Sequence, residues 1–260
     1  MIALILLAAA CTSTPPAAPP RRLVLIFVDT LRPDHMSLYG YDRQTSPVLD
    51  AWAEGAAVFT DAHSIAPWTL PSARAALSGR QPEAWDDGPV LMERLSEAGW
   101  ATGAATANVF LSETLGMSRG VDRFHYSLLA SAEDQVALAL GFFDAHPTQD
   151  AALLLHFIDP HLPYKEPEPY RSLWAGSPPP PLNERYQLIE LQALHVGPEL
   201  PGFDAVRRHL IDRYDQNIRY VDAALAPLLD TLAPTDGVIV FSDHGEEFWE
   251  HGGFEHGHSL

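Results

Sequence analysis

An α/β sandwich, with a mostly parallel sheet and helices on both faces, is the fold class the sequence predicts. Three short apolar runs each stop at an acid: Leu23 to Val28 before Asp29, Ala151 to Ile158 before Asp159, and Val238 to Phe241 just before Asp243. Segments with helical periodicity stand between these runs, and no internal repeat is visible. A run that is apolar on both sides is how a strand of a parallel sheet reads, because helices cover both of its faces. Ligands of such sheets collect beyond the carboxyl ends of the strands, so the terminal acids are candidate site residues.

Taken in order, the chain opens with Met1 to Ala10, short and apolar, then Cys11 and the linker TSTPPAAPPRR. Leu7 to Cys11 resembles the lipobox of bacterial lipoproteins, in which the cysteine is acylated, although the charged n-region of a signal peptide is missing. The expectation is an exported form, periplasmic or on the outer surface of a bacterial envelope, anchored to the membrane through lipidated Cys11. A plain secretory or mis-started leader is the alternative. The segment is too short to span a bilayer, which takes about 20 apolar residues. Residues 1–22 are thus read as leader and linker, and 23–260 as the folded domain.

The strand from Leu23 delivers Asp29, either to a metal or substrate or as a helix cap or loop acid. Val48 to Gly55 has helical periodicity. In Ala66 to Gly79, APWTLPSARAALSG, the Thr69 hydroxyl lies between Pro67 and Pro71, and Ser72 to Leu77 can form a helix. The first free N–H groups of that helix would suit a phosphate or sulfate held beside Thr69, although Thr-x-Pro-Ser alone reads equally as a turn with an N-cap. Val90 to Ala98 is a helix stopped by Gly99, and Trp100 to Thr106 a strand. Asn108, just past it, lines a pocket or makes a turn. Ala132 to Ala145 is a helix, and the strand Ala151 to Ile158 brings Asp159 and His161 to the same edge as Asp29.

Tyr170 to Gly202, with its run Pro178 to Pro181, reads as an irregular insertion over the site. Phe203 to Leu232 is a long helix with Pro227 as a candidate break. The last strand runs into Asp243 and His244, followed by His251, His256 and His258 in a Gly-punctuated loop. Carboxylate oxygen and neutral imidazole together suit Zn²⁺ or Mn²⁺; a solvated His-rich tail is the alternative.

Composition agrees with a globular domain. The 260 residues are 47% hydrophobic and carry 34 acidic against 16 basic side chains, a net charge of −18. Nothing supplies a basic face, so nucleic acid is excluded as an expected partner. An acidic protein handling an anionic ester has to offset its own field locally, which again favours a cation near Asp29, Asp243 and His244. The single cysteine leaves no disulfide partner.

The stretches VDTLRPDHMSLYGY, TSPVLDAWAEGAAVFTDAHSIAPWTLPSARAALSG, GWATGAATANVFLS, HFIDPHLPY, YDQNIRYVDAAL and FSDHGEEFWEHGGFEHGHSL occur in one order from residue 23 to the end. In that order the chain resembles the sulfatase family of the alkaline-phosphatase-like superfamily, in the branch with a W-T-L-P-S signature. The resemblance implies an alkaline-phosphatase-like sandwich in which Asp29, Asp243 and His244 hold a divalent cation (Zn, Mn or Ca), with the Thr69 oxygen as a further ligand and attacking group. It gives His161 contact with the anion or leaving oxygen, and sets His256 toward the same anion. Arg74, Asn108 and His258 are candidate substrate contacts.

Departures from the family pattern qualify the chemistry. Thr69 stands where Cys or Ser would mature to formylglycine, so no formylglycine is expected. Ala73 occupies the position of the family Arg, and Arg74 lies one residue on, about 100° round a helix. Thr30 replaces the second acid of the usual Asp-Asp pair. Relatives continue past the His-Gly-His-Ser-Leu loop, so absence of a C-terminal subdomain is expected. The implied activity is metal-dependent hydrolysis of a sulfuric or phosphoric ester. A phosphoethanolamine-type transferase or phosphodiesterase, or an inactive sulfatase-like binding protein, is the alternative.

Overall fold

The computed structural model describes residues 19–183, 188–193 and 196–257. Its centre is a five-stranded, fully parallel sheet in the order β3-β2-β4-β1-β5. β1 (Arg22–Val28) leads through α1 (Pro47–Trp52), α2 (Thr69–Ser78) and α3 (Leu91–Glu97) to β2 (Ala101–Thr106) and β3 (Arg123–Tyr126). α4 (Ala132–Asp144) and β4 (Ala151–Phe157) follow, then α5 (Leu188–Ala193) and the long α6 (Phe203–Leu229). β5 (Gly237–Ser242) closes the sheet, and β6 (Glu247–Phe248) pairs antiparallel with β7 (Phe254–Glu255).

The alternation within β1 explains the two layers. Val24, Ile26 and Val28 join Leu153, Leu155 and Phe157 of β4 under α1, α4 and α6. Leu25 and Phe27 face the other way, with Leu154, Ala73 and Leu77 of α2 and Met92 of α3. Each such side chain contributes roughly 1.5–3 kcal/mol when fully buried. β2 is built of small residues because α4 lies close against it: a Cβ added at Gly103 would sit 2.6 Å from the Phe142 ring.

Several elements differ from their sequence expectation. Helix α2 starts at Thr69, not Ser72, with extended Trp68 in the cap position and no side-chain cap bond. Pro71 is tolerated there because the first helical N–H groups have no acceptor within the helix. Thr69 is therefore the first helical residue and not an N-cap. Pro227 does not break α6, which runs on to Leu229; so close to the C-terminus a proline removes a single ladder bond. β3 has no counterpart in the sequence reading, since RFHY is a short and largely exposed edge strand.

The segment expected as an irregular insertion over the site includes α5 and a 3-10 turn at Tyr170–Ser172, and its described part packs on α6. Leu182 and Leu191 enter the core, and the backbone N–H groups of Trp174 and Ala175 donate to Gln216 Oε1 at 2.7 and 2.5 Å.

Candidate metal centre and nucleophile

Strand register assembles the site. Val28 is paired with Phe157 on one side and with Ser242 on the other, so Asp29 and Asp243 leave the sheet at the same edge. Thr30 then takes a left-handed conformation, φ 55°, an uncommon and costly one for a β-branched residue. That turn aims the Thr30 N–H at Asp243 Oδ1, 3.3 Å away, while its carbonyl accepts from the Tyr214 hydroxyl at 2.6 Å. Thr30, which replaces the second acid of the Asp-Asp pair, thus contacts Asp243 through its backbone. Ser64 reaches in from the loop before α2, donating to the Asp243 carbonyl and lying 3.1 Å from Ser72 Oγ.

Asp29, Asp243 and His244 bring ligand atoms within 4.8 Å of one another, all three residues buried. Asp29 Oδ1 and Asp243 Oδ2 have no hydrogen-bond partner, and they lie 3.5 and 3.1 Å from His244 Nε2. His244 Nδ1–H donates to the Gly245 carbonyl at 3.0 Å, which leaves Nε2 to face the carboxylates. Two buried acids with orphaned oxygens and one inward imidazole nitrogen form a donor set that fits a divalent cation. Two carboxylates in that position are costly to bury without positive charge, which the His244 imidazolium or a bound cation would supply.

The same electrostatics govern protonation. Burial opposes ionisation of Asp29, yet the hydrogen bond from His156 and the fields of His161 and His244 hold it well below the usual carboxylate range. Asp243 is pushed up by burial and by Asp29. Burial disfavours the charged form of His244, but Asp243 and Asp29 outweigh it and raise its pKa to about 9.

Thr69 is buried at the start of α2, its Oγ1 3.4 Å from His244 Nε2. Asn108 makes the turn that the sequence offered as one of its two readings, and it also reaches Asp29 and Thr69. Its Oδ1 accepts from the Phe110 N–H at 2.9 Å as a turn, while Nδ2 donates to Asp29 Oδ2 at 2.7 Å and to Thr69 Oγ1 at 3.3 Å. The His161 ring meets that of His256 at 4.8 Å, and His256 lies 4.4 Å from the His244 ring. Burial opposes charge on His161, but Asp29 and Glu246 raise its pKa. His161, Glu255 and His256 form a second group whose ligand atoms lie within 4.8 Å of one another.

Other expectations are corrected. Arg74 is not a pocket residue: its guanidinium lies over the Trp85 ring at 5.8 Å and donates to the Leu115 carbonyl at 3.5 Å, as its rotation round the helix requires. His251 is exposed on the β6–β7 turn, where its backbone N–H is held by Glu247. Asp159 turns toward the backbone N–H of Ala132 at the start of α4, and burial pushes its pKa up to about 7. Cys11 and His258 lie outside the described residues. The sequence reading missed His156, whose Nε2 stands 3.2 Å from Asp29 Oδ2; one histidine inside the apolar run AALLLHF was its only signal.

The Sulfatase family model matches residues 21–259, and the chain belongs to that family. It is 27% identical over 249 residues to the phosphoethanolamine transferase EptC of Escherichia coli O18:K1:H7, covering 88% of this chain and 40% of that protein. The phosphoethanolamine transferase CptA of Salmonella typhimurium is 27% identical over 246 residues, with the same shares covered. The chain thus spans 40% of the length of these curated relatives. Among solved structures, the C-terminal periplasmic domain of Escherichia coli EptC in complex with Zn superposes with a TM-score of 0.66 at 24% identity, over 90% of this chain and 66% of that one. The fold is alkaline-phosphatase-like, a parallel sheet with helices on both faces. Among the described residues no helix is long and apolar enough to cross a membrane.

Proposed function

We propose that the chain is a metal-dependent enzyme of the phosphoethanolamine-transferase type, with Thr69 as the group that is transiently esterified. One arrangement carries the reading: a buried hydroxyl on the first residue of a helix, 3.4 Å from His244 Nε2 and beside two carboxylate oxygens without partners. Asp29, Asp243 and His244 would hold the cation, with Thr69 Oγ1 as a further ligand, and the zinc complex of the EptC domain supports zinc as the ion. Once bound, such an ion lowers the pKa of the hydroxyl and offsets charge on a non-bridging phosphoryl oxygen.

The chain's own residues supply the rest. Asn108 Nδ2–H orients the Thr69 oxygen, and the unpaired N–H groups at the start of α2 suit an anion. Thr69 Oγ1, its hydroxyl proton released to solvent, would bond to phosphorus as the phosphorus–oxygen bond of the leaving group breaks, and His161 would give that leaving oxygen a proton. A second acceptor then takes the group from Thr69. The curated relatives, named as transferases, support transfer to an acceptor other than water over hydrolysis of a sulfuric ester. The periplasmic EptC domain supports export, and the lipobox-like run before Cys11 is the sequence feature that would make residues 1–22 a leader with Cys11 as lipid anchor.

The test is turnover of a chromogenic phosphoethanolamine ester by zinc-loaded protein, with peptide mass spectrometry of the quenched reaction. A phosphoethanolamine adduct on Thr69, lost together with turnover in Thr69→Ala, is expected. Equal turnover by Thr69→Ala would refute the assignment.

A further inference from the structure

β4 is apolar except for His156, which is fully buried with its ring edge-on to Phe27 at 4.8 Å. Its two ring nitrogens meet partners of opposite character. Nδ1 lies 3.3 Å from the backbone nitrogen of Ala107, which can only donate. Nδ1 therefore presents its lone pair, and the imidazole proton resides on Nε2. Nε2–H then donates to Asp29 Oδ2 at 3.2 Å, the oxygen that also receives Asn108 Nδ2–H at 2.7 Å. An imidazolium, or the other tautomer, would set a ring N–H against the Ala107 N–H.

The surrounding main chain is already fixed. Asp29 N–H donates to the Phe157 carbonyl at 2.9 Å, and the His156 carbonyl accepts from Gln135 Nε2 at 2.8 Å. What remains free is rotation of the Asp29 carboxylate. With Oδ2 taken by two donors, Oδ1 is left without a partner, facing His244 Nε2.

We propose that His156 is a positioning residue: held in its Nε2–H tautomer by the Ala107 backbone, it locks the Asp29 carboxylate so that only Oδ1 is offered to the cation. The inference rests on the proposed role of Asp29 as a metal ligand, but the tautomer itself can be read without metal.

Two measurements on the full chain test it. Nitrogen-15 spectra of histidine-labelled, zinc-free protein should show one imidazole with Nδ1 unprotonated and Nε2 protonated, absent from His156→Gln. A protonated Nδ1 on that residue overturns the proposal, whether or not the variants fold. Zinc affinity, measured by chelator competition, should fall about 10- to 100-fold in His156→Phe, which keeps the ring packing and loses the donor. It should recover to within about threefold of the parent in His156→Gln, whose amide N–H reaches the same position. Unchanged affinity in His156→Phe, or equal loss in both variants, overturns it. Parent protein that binds no zinc sinks the metal reading instead, and the spectra still decide the tautomer.

Discussion

Zinc affinity should depend steeply on pH, because the nitrogen that would bind the ion is the one the surrounding carboxylates protonate. Asp243 and Asp29 overcome the burial penalty and raise the His244 pKa to about 9, so at neutral pH an incoming cation displaces one proton from Nε2. Below that pKa, apparent affinity falls about tenfold per pH unit, giving about a 100-fold loss between about pH 8 and about pH 6. Competition titrations against a chelator of known pH dependence measure this slope. Calorimetry in buffers of different ionisation enthalpy should register about one proton released per ion near pH 7. A flat affinity over that range with no proton release would refute the reasoning, because His244 would then be neutral before the metal arrives. The metal-free protein should show the opposite trend. A histidine whose folded pKa is raised adds stability that is fully present below about pH 6.5 and is lost as pH rises through about 9, here up to about 3 kcal/mol. Urea unfolding of chelated protein at several pH values checks the sign.

Asn108→Asp puts a carboxylate where Nδ2 now donates to Asp29 Oδ2 at 2.7 Å; it should destabilise the metal-free protein by about 3–5 kcal/mol in denaturant titration. Gly103→Val drives a side chain into the Phe142 ring and should cost about 1–3 kcal/mol in the same assay without changing zinc stoichiometry. Arg74→Ala removes a contact with Trp85 and should leave kcat/KM within about twofold while lowering stability by about 0.5–1 kcal/mol. A much larger loss of kcat/KM would return Arg74 to the pocket. Removing the ion with a chelator should abolish turnover, and adding zinc should restore it, as followed by steady-state rate.

Composition and local pattern carried much of the architecture. The apolar run ending at Asp29 is a strand buried on both faces, as its residue types predict, whereas the run before Asp243 forms the edge strand β5 with Ile239 exposed, a placement that run composition does not disclose. Asp29, Thr69, Asp243 and His244 were legible: each follows a strand or opens a helix, where an acid, a hydroxyl or an imidazole has little packing purpose. β3 was not legible, because a short exposed edge strand gains its identity from pairing with β2. The fate of Arg74 was not legible either, since its direction depends on the Trp85 ring brought in by another turn of the chain.

Strand ends, their acids and the Thr69 segment were therefore determined along the chain, by short-range periodicity and the chemistry of single residues. Only the tertiary structure decided which oxygen of Asp29 is saturated and which is free. His156, Asn108 and His244 reach that carboxylate from sequence separations of 127, 79 and 215 residues. The same long-range pairing makes the Thr30 N–H a backbone donor for Asp243. Hydrogen-bond direction is a property of paired atoms, and pairs so distant along the chain exist only once the parallel sheet has set their register.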